Sequence, residues 1–159
     1  MSISTRLDSY LTTNNIQYTM VNHSHSNNSI GSALTACVPL NQIAKAVILQ
    51  DHEDRKMMAI LPANNKISFS ALNDELLGSY HLINEKEVYQ MFTDCDHGAI
   101  PPVAAAYNMS AVCDELLDEL EMVYIEAGDH ENLLKIKGAD FQAMLANSKH
   151  IRFSREVFH

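Results

Sequence analysis

Residues 43–61 have the sequence IAKAVILQDHEDRKMMAIL, and this stretch decides the fold class. The run from Ile43 to Leu49 is apolar apart from one lysine, which is typical of a buried strand. The polar residues 51–54 are typical of a turn, and a second apolar run follows from Lys56 to Leu61. Two such runs on either side of a short turn predict a β-hairpin. Because a hairpin requires antiparallel pairing, the pattern argues against an all-parallel, doubly wound sheet.

Helix-like and strand-like segments alternate along the rest of the chain. Ile30, Ala33, Leu34 and Cys37 have the i, i+3, i+4, i+7 spacing of one helix face, and Ser29 can cap that helix. We therefore expect an α+β fold in a single domain, with a mixed sheet flanked by helices. The other predicted elements are helices over 3–14, 70–77 (capped by Ser70), 88–92 and 141–145, and strands over 18–21, 122–125 and 133–136.

Length and charge limit the classes of function. The chain has 159 residues, enough for one domain and not comfortably for two. Its 11 basic and 20 acidic residues give a formal charge of −9, which argues against a protein that coats duplex DNA. No apolar run is long enough for a membrane span, and the first residues lack a secretion signal. Three cysteines without CxxC spacing predict reduced thiols, so we expect a cytoplasmic protein.

Lys45 is the first residue that could carry chemistry. Period-two alternation places it on the same face of its predicted strand as Ile43, Val47 and Leu49. A lysine rarely occupies such a position without a partner. One interpretation is an edge-strand lysine whose stem covers apolar surface while its ammonium reaches water. The other is an ammonium held in a pocket to meet an anion or a developing oxyanion.

The segment Gly98-Ala99-Ile100-Pro101-Pro102 is the second such feature. Its two prolines fix φ and remove two N–H donors, and its glycine allows the backbone to approach a ligand closely. Most Pro-Pro segments are only rigid connecting turns. The functional interpretation is a stiff wall that presents backbone groups to a small ligand.

Candidate metal ligands are present, but their spacing is not diagnostic of zinc. His23 and His25 would share one face of a strand, and further potential ligands lie at residues 94–97. Surface polar residues explain this pattern better than a metal site does, so we expect neither a metal nor a cofactor. Five carboxylates are predicted to form a solvated face: Asp114, Glu115, Asp118, Glu119 and Glu121.

Taken in order, these segments resemble one family, the YbaK-type aminoacyl-tRNA deacylases, which are relatives of the editing domain of bacterial prolyl-tRNA synthetases. Order and spacing fit over about residues 5–146. No single motif is specific to the family, but the whole set of motifs in this order is much stronger evidence for it. We therefore expect an editing domain over residues 1–150 and a C-terminal tail over 151–159. The matching stretches are residues 18–23, 43–49, 61–63, 98–102 and 124–128.

The resemblance implies a barrel-like, largely antiparallel sheet and hydrolysis of the ester that joins a mischarged amino acid to the 3′ end of a tRNA. It implies a small amino acid, with alanine on a proline tRNA as the first candidate. The chain departs from the pattern at Pro101, where many relatives carry a small hydroxyl residue, and at Ala104, where many carry glycine. The implied catalytic residue is Lys45, and the implied substrate-binding residues are His23, Gly98, Ala99, Ile100, Pro101 and Pro102.

Two hypotheses of different classes follow from these observations. The first is a trans-acting deacylase whose pocket excludes large side chains, as the second sieve of editing requires. The second is a non-catalytic module that senses an aminoacyl or nucleotide ligand in the same cleft. The charge of −9 favours the second hypothesis, or an enzyme that borrows RNA affinity from a partner synthetase. Lys45 within an apolar strand favours the first, and a metal-dependent hydrolase ranks third.

Overall fold

The computed structural model describes residues 3–22 and 38–157. Short 3₁₀ turns at Leu40–Gln42, Ala104–Tyr107 and Glu115–Leu117 join some of its elements. The helices are α1 (Thr5–Thr13), α2 (Phe69–Leu76), α3 (Glu85–Met91) and α4 (Gly138–Met144). The strands are β1 (Thr19–Asn22), β2 (Ile43–Gln50), β3 (Lys56–Pro62), β4 (Asn65–Ile67), β5 (His81–Leu82), β6 (Ser110–Asp114), β7 (Met122–Glu126), β8 (Asn132–Lys137), β9 (Lys149–Ile151) and β10 (Ser154–Glu156).

Eight strands form one mixed sheet in the order β1-β8-β7-β2-β3-β6-β9, with β5 paired to β2 beside this path. The pairs β1–β8, β7–β8, β2–β3 and β2–β5 are antiparallel. The pairs β2–β7, β3–β6 and β6–β9 are parallel. The predicted α+β fold with a mixed sheet flanked by helices is confirmed. No helix in the described ranges is long and apolar enough to cross a membrane.

The predicted hairpin is formed by β2 and β3. Its register pairs Lys45 with Leu61, and at the turn end Gln50 with Lys56. The buried carboxylate of Asp51 closes the turn by accepting hydrogen bonds from the backbone N–H groups of Glu53 and Arg55, both at 2.9 Å. The Arg55 guanidinium donates to its other oxygen at 2.8 Å. The turn thus fixes the register of the two central strands.

Alternation along β2 separates two apolar regions of the protein. Ala44 and Ile48 belong to the large core, which lies between the sheet and α1, α3 and α4. Ile43 and Leu49 lie on the opposite face, where they pack into two smaller cores. Because side chains alternate along a strand, Lys45 lies on the same face as Ile43 and Leu49, as the sequence predicts.

The C-terminal segment closes the far edge of the sheet. β9 pairs with β6, and β10 pairs with β4 in a separate two-stranded sheet. Asp114, at the end of β6, is fully buried and accepts hydrogen bonds from the N–H groups of Phe153 (3.2 Å) and Ser154 (3.0 Å). The prediction that Asp114 belongs to a solvated acidic face is therefore wrong, because its carboxylate anchors the C-terminal segment. Glu115, Glu119 and Glu121 are exposed, as predicted.

Two further sequence predictions need comment. Ser68, and not Ser70, caps α2, since the Ser68 hydroxyl accepts from the N–H of Ala71. The helix predicted over residues 30–37 lies outside the described residues. The short strands β4, β5, β9 and β10 were not predicted, because two or three residues are too few to show a period.

Replacing Asp114 should destabilise the fold. In Asp114→Asn, an amide NH₂ would face backbone N–H donors in a fully buried site, and the pairing with Arg152 (3.3 Å) would weaken. We expect the free energy of unfolding to fall by about 2 to 4 kcal/mol in urea titrations. The control Glu119→Gln, at an exposed carboxylate, should change it by less than about 0.5 kcal/mol. Equal effects of the two variants would contradict the anchoring role.

His150 should make stability depend on pH. Its Nδ1 lies 2.8 Å from Asp118 Oδ1, and its Nε2 donates to the Leu145 carbonyl at 3.0 Å. Burial lowers the pKa of His150, but the hydrogen bonds to Leu145 and Asp118 outweigh burial and raise it above the usual value. A raised pKa in the folded state stabilises the fold below the ordinary histidine pKa of about 6.5. That contribution is lost as pH rises through the raised pKa.

We therefore expect the stability difference between wild type and His150→Gln to shrink as pH rises from about 5.5 to 8.5. Urea titrations at several pH values measure it, with His52→Gln, at an exposed histidine, as control. A difference that stays constant with pH would contradict a role for the charge of His150.

Candidate functional site

Lys45 lies near the middle of the sheet as a half-buried cation. Burial lowers its pKa, and the positive charge of Lys66 lowers it further. Within the described part of the chain, its ammonium makes no hydrogen bond or ion pair. A cation held partly out of water attracts an anion more strongly than a solvated one does, because the surrounding medium screens less.

The loop over residues 98–102 is held by its own backbone. Gly98 has a φ of +81°, a conformation that favours glycine. The N–H of Ala99 donates to the Asp96 carbonyl at 3.1 Å, and the N–H of Val103 donates to the Pro101 carbonyl at 2.8 Å. Ala99, Pro101 and Pro102 are buried, so the loop is packed from behind as well as restricted by its prolines.

A cavity of about 300 Å³ lies between β2, α3 and this loop. On this edge β2 pairs with β7 only at Ile43 and Ala44, and with β5 only at Leu49 and Gln50. Among the described residues, positions 45–48 therefore have no strand partner on this side. The cavity is lined by Ala46, Val47, Ile48, Glu85, Val88, Tyr89, His97, Gly98 and Ile100.

The structure brings part of the predicted site together. Gly98 and Ile100 line the cavity, whereas Lys45 does not line it and directly precedes the β2 residues that do. The other three loop residues are buried and do not line the cavity: Ala99, Pro101 and Pro102. His23 and His25 lie outside the described residues.

The turn between β7 and β8 binds residues 96 and 97, which lead into the loop over 98–102. The sequence did not predict this role. The Nε2 of buried His130 donates to the His97 carbonyl at 2.5 Å, and the N–H of Asp96 donates to the Gly128 carbonyl at 2.6 Å. Asp129, also buried, accepts from the N–H of Asn132 at 3.0 Å. The strands predicted over 122–125 and 133–136 imply a turn at Gly128-Asp129-His130, but its contacts with the distant segment 96–97 leave no local signal in the sequence.

A second network ties α1 to the segment before the loop. Asp94 accepts hydrogen bonds from the guanidinium of Arg6 at 2.7 Å and from the hydroxyl of Ser4 at 2.5 Å. Burial alone would raise the pKa of Asp94, but the hydrogen bonds from Arg6 and Ser4 hold it far below its usual range. The same serine contacts the hydroxyl of Tyr107 at 2.8 Å.

Residues 94–97 do not form a nucleophilic or metal centre in the described structure. Burial raises the pKa of Cys95 to about 11, so its thiol is protonated at neutral pH and is a poor nucleophile. In the described ranges, the one group of three potential metal ligands within 4.8 Å is Cys113, Asp118 and His150, which lies elsewhere.

Comparison with known proteins identifies the family. A family model described as the aminoacyl-tRNA editing domain matches residues 26–144, three quarters of the chain. The chain belongs to this family. The match includes Lys45, the loop over 98–102 and the turn with His130. A search of curated protein sequences finds no significant match.

Solved structures share the fold of this editing domain at low sequence identity. A hypothetical protein superposes with a TM-score of 0.82 and 16% identity, over 94% of this chain and 99% of its own. A candidate trans-editing enzyme for prolyl-tRNA synthetase gives a TM-score of 0.78 and 16% identity, over 96% of both chains. A candidate signal transduction protein from Marinobacter aquaeolei gives 0.75 and 21%, over 95% of this chain but only 30% of its own. The fold therefore occurs alone and as one part of a larger protein.

Proposed function

We propose that this chain is a trans-acting deacylase, which hydrolyses the ester between a small, mischarged amino acid and the 3′ end of a tRNA. Alanine on a proline tRNA is the first candidate substrate. The observation that carries the proposal is Lys45, a half-buried cation without an ion-pair partner in the described residues, in a strand whose next three residues line a small cavity with a rigid wall. Membership of the editing-domain family agrees with this chemistry.

The reaction needs little acid–base catalysis from the protein, because an aminoacyl ester is already activated. A water molecule, or a water assisted by the neighbouring ribose hydroxyl, attacks the carbonyl carbon. The bond from that carbon to the ribose oxygen then breaks, releasing the free amino acid and restoring the tRNA hydroxyl. Negative charge develops on the carbonyl oxygen, and the Lys45 ammonium stabilises it there or holds the terminal phosphate. No cofactor or metal enters this scheme.

The loop over 98–102 supplies the size limit. Ile100 lines the cavity, and the buried prolines behind it resist displacement by a large side chain. The open edge of β2 offers backbone groups to the ester and the amino group. A rigid wall of this kind discriminates by exclusion, which suits an editing site because binding alone separates small apolar side chains only by roughly 10–200-fold.

A non-catalytic module remains the second candidate function. Its supporting observation is the charge of −9, which disfavours extensive contact with the tRNA backbone. A partner such as a synthetase would bring the tRNA 3′ end to the site in the enzymatic case. A sensing module needs only the ligand and the cavity, so turnover separates the two.

Lys45→Ala should lower deacylation of alanyl-tRNA by roughly 10²–10³-fold while leaving the fold intact. The matched control is Lys149→Ala, which removes an exposed lysine of β9 and should leave turnover nearly unchanged. Because the protonated lysine is required and its pKa is lowered, wild-type activity should fall with rising pH before the ordinary lysine range is reached. Single-turnover rates over a pH series measure both effects.

Normal activity of Lys45→Ala would overturn the catalytic role and restore the edge-strand interpretation. Binding of an aminoacyl-tRNA without turnover by the wild type, across all the esters tried, would favour the sensing module.

Side-chain size should set the substrate range. We expect alanyl esters to be hydrolysed, while prolyl and phenylalanyl esters are spared. Ile100→Ala removes part of the cavity wall and should raise the relative rate for prolyl over alanyl esters by roughly 10-fold or more. Ile83→Ala, which shortens a half-buried side chain outside the cavity, is the control. A wild type indifferent to size, or an Ile100→Ala variant with unchanged preference, would refute the sieve.

A further inference from the structure

Two aromatic rings stack at the edge of the cavity. Tyr89 projects from α3, and His97 precedes Gly98 in the loop. Their ring centroids are 3.3 Å apart and their planes differ by 2°. Both residues line the cavity that Gly98 and Ile100 also line, so the stacked pair forms part of its wall.

This stack is not required by the apolar core. Val88 and Met91 are the α3 residues that pack against the large core. Tyr89 is only half-buried, and its hydroxyl donates to Glu85 at 3.3 Å. His97 is exposed, and its backbone is already held by the hydrogen bond from His130 to its carbonyl. The two rings are therefore presented at the cavity rim on a backbone that other contacts fix.

The chemistry of the rim suits a nucleobase better than a phosphate. Flat aromatic rings bind any base through its π-face, and such stacking is strong without requiring a particular sequence. Glu85, which also lines the cavity, would repel a phosphate but can accept a hydrogen bond from an exocyclic amino group. Adenine carries both a large π-face and such an amino group.

We propose that Tyr89 and His97 form a base-stacking subsite that receives the terminal adenine of the tRNA, with Glu85 facing the exocyclic amine. This inference rests on the proposed function, because it assumes that the ester of an aminoacylated 3′ end reaches the cavity. The base lies at the rim against the stack, and the ribose and ester extend inward past Gly98 towards the β2 edge and Lys45. Tyr89 and His97 thus position the substrate and take no part in the bond-breaking step.

Binding of uncharged RNA tests the subsite without needing turnover. The probes are fluorescently labelled acceptor-stem hairpins that end in CCA or in CC, titrated by anisotropy. We expect wild type to bind the CCA hairpin roughly 5- to 100-fold more tightly than the CC hairpin. The double variant Tyr89→Leu, His97→Ala should lose this preference. His97→Phe keeps a flat ring and should retain most of it, and His52→Ala, at an exposed histidine outside the cavity, should retain all of it.

Kinetics distinguish failure of this inference from failure of the proposed function. With alanyl-tRNA, the double variant should raise KM by a similar factor and leave kcat within about twofold, since stacking adds affinity before the chemical step. Unchanged KM and an unchanged CCA preference would overturn the subsite while leaving the deacylase intact. Absence of turnover in wild type would count against the deacylase, and the hairpin titration would still decide the subsite. A wild type that binds both hairpins equally overturns the subsite.

Discussion

Burial of one side of β2 is the constraint on which the rest of the structure depends. Ala44 and Ile48 are held in the large core, and the strand is paired to β3 over most of its length. Since side chains alternate, a slip of one residue would carry Lys45 into that core. The energetic cost of burying an unpaired ammonium makes this register much the most stable. The position of Lys45 is thus determined by residues that take no part in chemistry.

The loop over 98–102 depends on a different set of contacts. Its own sequence limits its conformations, but its place beside β2 is set by two hydrogen bonds to a distant turn. The Asp96 N–H donates to the Gly128 carbonyl, and the His130 side chain donates to the His97 carbonyl. The network of Ser4, Arg6 and Asp94 fixes the chain just before it. A loop built in this way can present a wall and a glycine to a ligand without rearranging, which lowers the entropy lost on binding.

The sequence predicted those features that are carried by local patterns. The β2–β3 hairpin follows from two apolar runs around a polar turn, and the face of Lys45 follows from period-two alternation. Parallel pairing of β2 with β7 and of β3 with β6 could not be predicted in this way, because partners that lie 50 to 80 residues apart leave no local signal. The burial of Asp114 could not be predicted for the same reason. An acidic stretch alone resembles a solvated surface, and the donors to this carboxylate belong to the distant C-terminal segment.

The structure places only some of the predicted residues at the cavity, for the same reason. Gly98 and Ile100 lie in one segment whose rigidity is visible in the sequence, whereas Tyr89 and His97 belong to different elements and meet only in the folded chain. His130 falls in a predicted turn, but its burial and its bond to the loop depend on packing. Local chemistry therefore points to single residues, while the partners that orient them come from the topology.

Electrostatics links the fold to the proposed chemistry. The chain is acidic overall, yet Lys45 is half-buried in a central strand, and the positive charge of Lys66 acts on it. An interaction between this lysine and a developing oxyanion gains strength from the low local polarity, while the distant surface carboxylates are screened within about 10 Å at ordinary ionic strength. A negative surface is therefore compatible with a cationic site, provided that the contact with tRNA is confined to its 3′ end. In the proposed mechanism the net charge limits how much of the tRNA the chain can hold, and the stabilisation of the reacting ester is assigned to Lys45.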